Sequence, residues 1–161
     1  MQKKHETIER IRSLNGERQK EAERYIDEGC CGLAYLAKWS VLEFALKELD
    51  MLRTQYDERA GLVALLLYLD EGSPKPAQRR VDIPVQHKHS LPPVSRIPIL
   101  LGSCPVLSEI FDTNQKYRQK RNSIAHKAEQ LSPKACKDYL NKLDAGLTEL
   151  FEALETISWL E

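Results

Sequence analysis

Residues 121–126, with the sequence Arg-Asn-Ser-Ile-Ala-His, are the part of this chain best suited to chemistry. They lie in its most basic region, where Glu129 is the only acidic residue between positions 113 and 137. The surrounding cations are Lys116, Arg118, Lys120, Lys127 and Lys134. A local concentration of positive charge in a neutral protein favours the binding of phosphate groups. The cluster therefore predicts a phosphate-binding surface.

The spacing of Arg121 and His126 limits how they can act together. They are five residues apart, which places them about 140° apart around an ideal helix. Asn122 and Arg118 share the face of His126, because they precede it by four and eight residues. Arg121 and His126 converge only if the helix ends or bends there, if the long arginine reaches around, or if two chains meet at a symmetric interface. The sequence leaves these alternatives open.

The prolines show which segments can be helical. Seven of the eight fall between Pro74 and Pro105, and the eighth is Pro133. Proline removes a backbone donor and clashes with the preceding helical turn, so a proline-free stretch is one in which a helix is permitted. We expect one all-α domain over residues 1–161, a bundle of four or five helices. A Pro-rich irregular connection, residues 72–102, is expected between the third and fourth helices.

Three helices are predicted in the first part, over about residues 4–27, 33–56 and 58–70. The second is apolar around most of its circumference, which is typical of a central helix. Its main stripe, expected to be core, contains Tyr35, Trp39, Leu42, Leu46 and Leu49. The acidic residue Glu43 lies in the mostly apolar part of this helix. It either faces the site and pairs with Arg121 or Asn122, or forms an i,i+4 pair with Lys47 on the surface.

Two helices are predicted after the connection. The first runs from Ser103 as N-cap to about His126. The second begins at Ser132 as N-cap, with Pro133 at the first helical position. Its apolar residues recur at 4-3-4-3 spacing, as either bundle core or dimer interface: Cys136, Leu140, Leu143, Leu147, Leu150, Leu154 and Ile157.

The composition narrows the class of protein. The 161 residues include 24 Lys and Arg against 24 Asp and Glu, and 42% are hydrophobic, which excludes a disordered chain. The longest apolar stretch, residues 62–69, is short of the ~20 residues that cross a bilayer. Residues 1–24 are charged throughout, unlike a signal sequence. We therefore expect a cytoplasmic protein without a membrane span.

The chain has two sets of residues that could form a metal or redox site. They are the four cysteines and the pair His87 and His89 in the connection. No Cys-x-x-Cys is present, so we expect free, mostly buried thiols in a reducing compartment. His87 and His89 have the spacing of half a metal site, but no acidic or cysteine ligand lies nearby. A solvated loop is favoured there, and neither a metal site nor a cofactor is predicted.

Residues 121–126 resemble the Arg-x(4–6)-His motif of HEPN-domain proteins, in the common form with asparagine directly after arginine. The placement is similar as well, since the motif follows an amphipathic helix and precedes a long Leu-rich one. Residues 39–46 resemble the early HEPN helix in which an acidic residue interrupts an apolar face. The resemblance covers about residues 33–157, as a pattern rather than as identity.

The resemblance implies a metal-independent endoribonuclease that acts as a homodimer, with two motifs facing each other across the interface. His126 would be the general acid or base, Arg121 would stabilise the phosphate, and Asn122 would orient the motif or contact RNA. Attack by the ribose 2′-OH would leave a 2′,3′-cyclic phosphate and would require RNA, not DNA. The remaining residues assigned to substrate binding are Lys116, Arg118, Lys120, Lys127 and Glu43.

The resemblance also implies a toxin, phage-defence or stress-response setting, with an antitoxin or another protein as partner. HEPN toxins silenced by a nucleotidyltransferase often carry tyrosine two residues after the motif histidine, where this chain has Ala128. Two other hypotheses stay open: a catalytically silent HEPN-like module that binds RNA, a nucleotide or a protein, and a helical adaptor without a nucleic-acid role. In the plainest interpretation, Arg121 and His126 only stabilise a helix end.

Overall fold

The computed structural model describes the backbone of residues 2–71 and 91–160, and the side chains of residues 4–66 and 91–160. Within these residues the chain forms six α-helices and no strand, which confirms the predicted all-α bundle. The helices are α1 (Gln2–Asp27), α2 (Cys31–Glu71), α3 (Ile97–Leu101), α4 (Pro105–Phe111), α5 (Lys116–Lys127) and α6 (Pro133–Thr156). Residues 72–90 of the predicted connection, with the pair His87 and His89, lie outside the described residues.

Helix α2 is the centre of the bundle, as its apolar circumference predicts. It packs against α1, α3, α5 and α6, while α4 packs against α5 and α6. All five residues of its main stripe are buried, Trp39 at 2% exposure and the others at 1% or less. Their prediction as core is confirmed.

The second and third predicted helices are one continuous helix, so the boundary expected near residue 57 is wrong. Neither proline nor glycine stands at that point, and Arg53 forms an i,i+4 ion pair with Asp57 at 2.9 Å along the helix. Gly61 lowers helix propensity without breaking the helix. Beyond residue 60, α2 has an exposed apolar surface that includes Leu62, Val63 and Leu66.

The fourth predicted helix is also different, because α4 and α5 are separate. Asp112 forms the turn between them: its carboxylate accepts the Asn114 N–H at 2.9 Å and its carbonyl accepts the Gln115 N–H at 3.1 Å. The N-cap of α4 is Cys104 rather than Ser103. A distant carboxylate, Glu149 of α6, accepts the first free N–H groups of α4 instead.

The predicted connection over residues 72–102 is partly helical. A short 3-10 helix, Val94–Arg96, leads into α3, and Ile97 and Leu100 of α3 are buried. Arg96 pairs with Asp50 of α2 at 2.7 Å. Pro98 is tolerated because it stands in the first turn of α3, where its missing N–H would have no intrahelical partner.

Helix α6 begins and packs as predicted. The Ser132 hydroxyl accepts the Ala135 N–H at 3.3 Å, with Pro133 as the first helical residue. All seven residues of the predicted seam are buried within the chain. Of the two alternatives for the seam, bundle core or dimer interface, the structure shows bundle core.

Cys31 and Cys136 form a disulfide, with their Cα atoms 5.9 Å apart. The prediction of free thiols is therefore wrong for these two residues, while Cys30 and Cys104 are free. The bridge joins residues 105 positions apart. The pair becomes apparent only when the starts of α2 and α6 lie side by side. The expectation of a reducing compartment was based on free thiols, and these two cysteines do not support it.

Replacing Cys31 and Cys136 together by serine is expected to lower the free energy of unfolding by about 2–4 kcal/mol, because the cross-link restricts the unfolded chain. Urea unfolding with and without a reductant measures the effect. The reductant should destabilise the wild type and a Cys30→Ser control, and leave the double variant unchanged. Four titratable thiols in the denatured, unreduced protein would contradict the bridge.

No helix in the described part of the chain combines the length and the apolarity that a membrane span needs.

Candidate functional site

Helix α5 carries the Arg121–His126 cluster and is fixed to the bundle by two buried residues, Tyr117 and Ile124. The Tyr35 hydroxyl of α2 donates to the Tyr117 carbonyl at 2.8 Å. A Cβ atom at Gly32 would stand 3.0 Å from Cγ2 of Ile124, so glycine allows α5 to approach α2 closely there. The helix ends at Lys127, after which Ala128 adopts a left-handed conformation with φ of 51°.

Arg121 faces the central helix. Its Nη2 atom lies 3.4 Å from Oε2 of Glu43 on α2, and its Nη1 atom donates to Oδ1 of Asn122 at 3.1 Å. The guanidinium is partly exposed, with 31% of the side-chain surface accessible. A guanidinium has five N–H donors, so these contacts leave donors for a phosphate. Arg121 is thus held in place without being fully occupied.

Glu43 fulfils both of the roles that its sequence position left open. Its Oε1 atom accepts from Lys47 at 2.7 Å, and its Oε2 atom accepts from Nε1 of Trp39 at 2.9 Å beside Arg121. Burial acts to raise the pKa of Glu43, but the hydrogen bond and charge of Lys47, the Trp39 hydrogen bond and the Arg121 charge outweigh it. The pKa of Glu43 is therefore lowered, and the carboxylate stays ionised.

Replacing Glu43 by glutamine is expected to destabilise the fold by about 1–2 kcal/mol at neutral pH, because charge-assisted hydrogen bonds are lost. A carboxyl group whose pKa is lower in the folded state stabilises the fold above its unfolded pKa, about 4.3 for glutamate, and this stabilisation is lost as the pH falls through the folded value. The difference between wild type and variant should therefore shrink below about pH 4.

Urea unfolding between neutral pH and pH 3 measures this difference. The matched control is Glu58→Gln, at an exposed position on the same helix. It should show no comparable loss at neutral pH. A Glu43→Gln penalty that is the same at both ends of the pH range would contradict the assigned charge network.

His126 lies on the side of α5 away from the core and is exposed. Among the described residues, no hydrogen bond or ion pair engages its imidazole. Helix α5 continues from Arg121 through His126, and the Arg121 guanidinium lies beside Glu43 of α2. One chain therefore does not bring Arg121 and His126 together. The meeting of two chains at a symmetric interface stays a prediction.

The predicted catalytic and substrate-binding residues of α5 occupy two parts of the helix. Arg118, Asn122 and His126 form one row on its outer side, at i, i+4 and i+8. Lys116 and Lys120 lie on the flank towards α6, where both ammonium groups are 5.7 Å from the centroid of the Tyr139 ring.

Acidic residues neutralise part of this charge. Lys120 forms an ion pair with Glu129, whose pKa is lowered by the Lys120 hydrogen bond and charge and by Ser123 and Lys127. Arg121 is paired with Glu43 in the same way. Two of the predicted cations, Lys120 and Arg121, therefore have acidic partners. Lys116 and Lys127 are exposed, and Arg118 is partly exposed.

Two features were missed from the sequence, one at the site and one away from it. One is Tyr139, which connects the basic flank of α5 to α6 through its ring. The other is Lys38, a buried lysine between Ala37 and Trp39. A charged residue inside an apolar helix is a signal that the sequence offers for Lys38, as it does for Glu43. In the described part of the chain, no group of three or more His, Cys, Asp or Glu residues is arranged to hold a metal ion.

Comparisons of the chain with family models, with curated proteins and with solved structures give no match. Its function is therefore argued from the fold and from the geometry of α5.

Proposed function

We propose that this chain is a metal-independent endoribonuclease of the HEPN type, with a composite site formed by two copies. The observation that carries the proposal is the outer face of α5, where the partly exposed Arg118 and the exposed Asn122 and His126 form one row beside the basic flank at Lys116. An exposed histidine among cations matches the chemistry of phosphodiester cleavage, which needs proton transfer next to a stabilised negative charge.

The proposed reaction begins with attack of the ribose 2′-oxygen on the adjacent phosphorus. His126 of one copy takes the 2′-OH proton, and the imidazolium formed then gives this proton to the leaving 5′-oxygen. Arg121 donates to the charged phosphorane oxygens, and Asn122 holds its guanidinium. The P–O2′ bond forms as the P–O5′ bond breaks, which gives a 2′,3′-cyclic phosphate and a 5′-OH.

The second copy is part of the proposal because Arg121 lies beside Glu43 of α2, whereas His126 is exposed on the outer side of α5. In a symmetric dimer, α5 of one copy faces α5 of the other, so that an arginine and a histidine from different chains reach one phosphate. By the same resemblance we propose a cytoplasmic toxin or phage-defence effector whose partners are RNA and an antitoxin or other regulatory protein.

Mixing two inactive variants tests the composite site. Arg121→Ala and His126→Ala should each lack RNA cleavage in excess EDTA. When they are co-refolded, mixed dimers combine an arginine from one copy with a histidine from the other, and cleavage should return. Co-refolding two differently tagged His126→Ala preparations is the control and should remain inactive. A wild-type enzyme that cleaves as a strict monomer at micromolar concentration would overturn the composite site.

A catalytically silent RNA-binding module is the second candidate, and the ion pairs of α5 favour it. Arg121 is held by Glu43 and Lys120 by Glu129, so two predicted phosphate contacts have acidic partners. Such a module would bind RNA through the unpaired cations without cleaving it.

Replacing Lys116 by alanine is expected to weaken RNA binding and to reduce the slope of log K against log salt by about 0.7, because one phosphate contact is lost. Fluorescence anisotropy with a labelled single-stranded RNA at several salt concentrations measures the slope. The control is Lys20→Ala, at an exposed position on α1, which should leave the slope unchanged. Equal slopes for wild type and Lys116→Ala would remove Lys116 from the RNA-binding surface.

A further inference from the structure

A cavity of about 520 Å³ lies between α1, α2 and α6, away from the exposed row of α5. Its apolar lining includes Ile26, Leu131 and Leu140, and the Cys31–Cys136 bridge forms part of its wall. This volume falls within the range of small-molecule sites, about 300–1,000 Å³. The aliphatic lining suits an aliphatic rather than a planar aromatic body.

The buried polar group at this cavity is the ammonium of Lys38. Lys38 lines the cavity and is 4% exposed. It donates to Oε1 of Gln19 at 2.9 Å and forms an ion pair with Asp144. An ammonium has three donors, so these two acceptors leave one donor for another group. A buried charged group with an unsatisfied N–H donor costs free energy unless another acceptor binds that donor.

Asp144, the ion-pair partner of Lys38, is much less buried than Lys38. The side chain of Asp144 is 50% exposed, whereas that of Lys38 is 5% exposed. Asp144 can therefore turn towards solvent and remain hydrated, which Lys38 cannot do. An incoming anion can thus join or replace Asp144 as the counter-ion of Lys38. Lys137 adds a second, exposed cation at the cavity.

We propose that this cavity binds a small aliphatic carboxylate, with the carboxylate on Lys38 and the tail against Ile26, Leu131 and Leu140. The proposal does not depend on the ribonuclease function, since none of these residues belongs to α5. Two of its features set the ligand class: a buried cation selects an anion, and the aliphatic wall selects a short hydrocarbon tail.

Calorimetric titration of the full chain with octanoate tests the proposal, with uncharged octanamide as the matched ligand. Octanoate should bind with one-to-one saturation, and octanamide about tenfold or more weakly, because a charge-assisted hydrogen bond is missing. Lys38→Met should weaken octanoate binding by a similar factor while circular dichroism stays unchanged.

Asp144→Asn separates a ligand site from a structural ion pair. If Asp144 competes with the ligand, its neutralisation should tighten octanoate binding about threefold or more. Asp138→Asn, at an exposed position on the same helix, is the control and should bind as the wild type does. The octanoate titration of Asp144→Asn also tests the proposed carboxylate site if Lys38→Met fails to fold. No saturable binding up to about 10 mM octanoate in wild type and Asp144→Asn, or equal binding of octanoate and octanamide, would overturn the proposal.

Discussion

Replacement of His126 by alanine is expected to reduce RNA cleavage by about a hundredfold to ten-thousandfold, which is the usual contribution of general acid–base catalysis. The imidazole is proposed to move the protons that bond exchange at phosphorus requires, and an alanine methyl cannot do so. The measurement is the initial rate of cleavage of a defined RNA by wild type and variant at equal concentration.

The exposure of His126 makes this result interpretable. Because its side chain is exposed and makes no polar contact with the described residues, its removal should leave the urea unfolding curve unchanged. His5→Ala, at an exposed histidine on α1, is the control and should cleave at the wild-type rate. Wild-type cleavage by a folded His126→Ala variant would exclude the proposed role.

Replacement of Trp39 by alanine is expected to lower the free energy of unfolding by about 3–5 kcal/mol. Trp39 is 2% exposed, and its ring centroid lies 4.8 Å from that of Phe111 and 6.2 Å from that of Tyr35. Alanine leaves a cavity in the centre of the bundle. The variant also removes the indole N–H that donates to Glu43, so the position of Arg121 loses one support.

Urea unfolding followed by circular dichroism measures the loss of stability, and the m-value shows whether the transition stays two-state. Leu33→Ala is the matched control, because Leu33 lies on the same helix with 47% exposure. Its substitution should change the unfolding free energy by about 0.5 kcal/mol or less. A loss below about 1 kcal/mol in Trp39→Ala would contradict the central position of Trp39.

The apolar periodicity of the chain was enough to predict its class and its core. The stripe from Tyr35 to Leu49 and the seam from Cys136 to Ile157 are both buried, because a wide apolar stripe must face other helices. The start of α6 was also predictable, since Ser132 and Pro133 act through local backbone chemistry.

Helix boundaries that depend on distant residues were not predictable. Glu149 caps α4 from a different helix, and a turn centred on Asp112 separates α4 from α5. The Cys31–Cys136 bridge likewise depends on two segments that only the fold brings together. Local pattern carries little information about such contacts.

The sequence predicted that Arg121 and His126 share one helix, but it did not decide the contacts of the charged side chains. The spacing of Arg121 and His126 predicts about 140° between them around an ideal helix, and both residues lie within α5. The sequence left open whether Glu43 pairs with Arg121 or with Lys47, and the structure shows both contacts. Lys38 went unnoticed because its partners, Gln19 and Asp144, belong to α1 and α6.

The most direct test of the central claim is to incubate the wild-type protein with a defined RNA in excess EDTA, alongside a DNA oligonucleotide of the same sequence. We predict that the RNA is cleaved to fragments ending in 2′,3′-cyclic phosphate, that the DNA stays intact, and that His126→Ala cleaves neither. RNA that remains intact with the folded wild-type protein, or cleavage that EDTA abolishes, would contradict a metal-independent ribonuclease at Arg121 and His126.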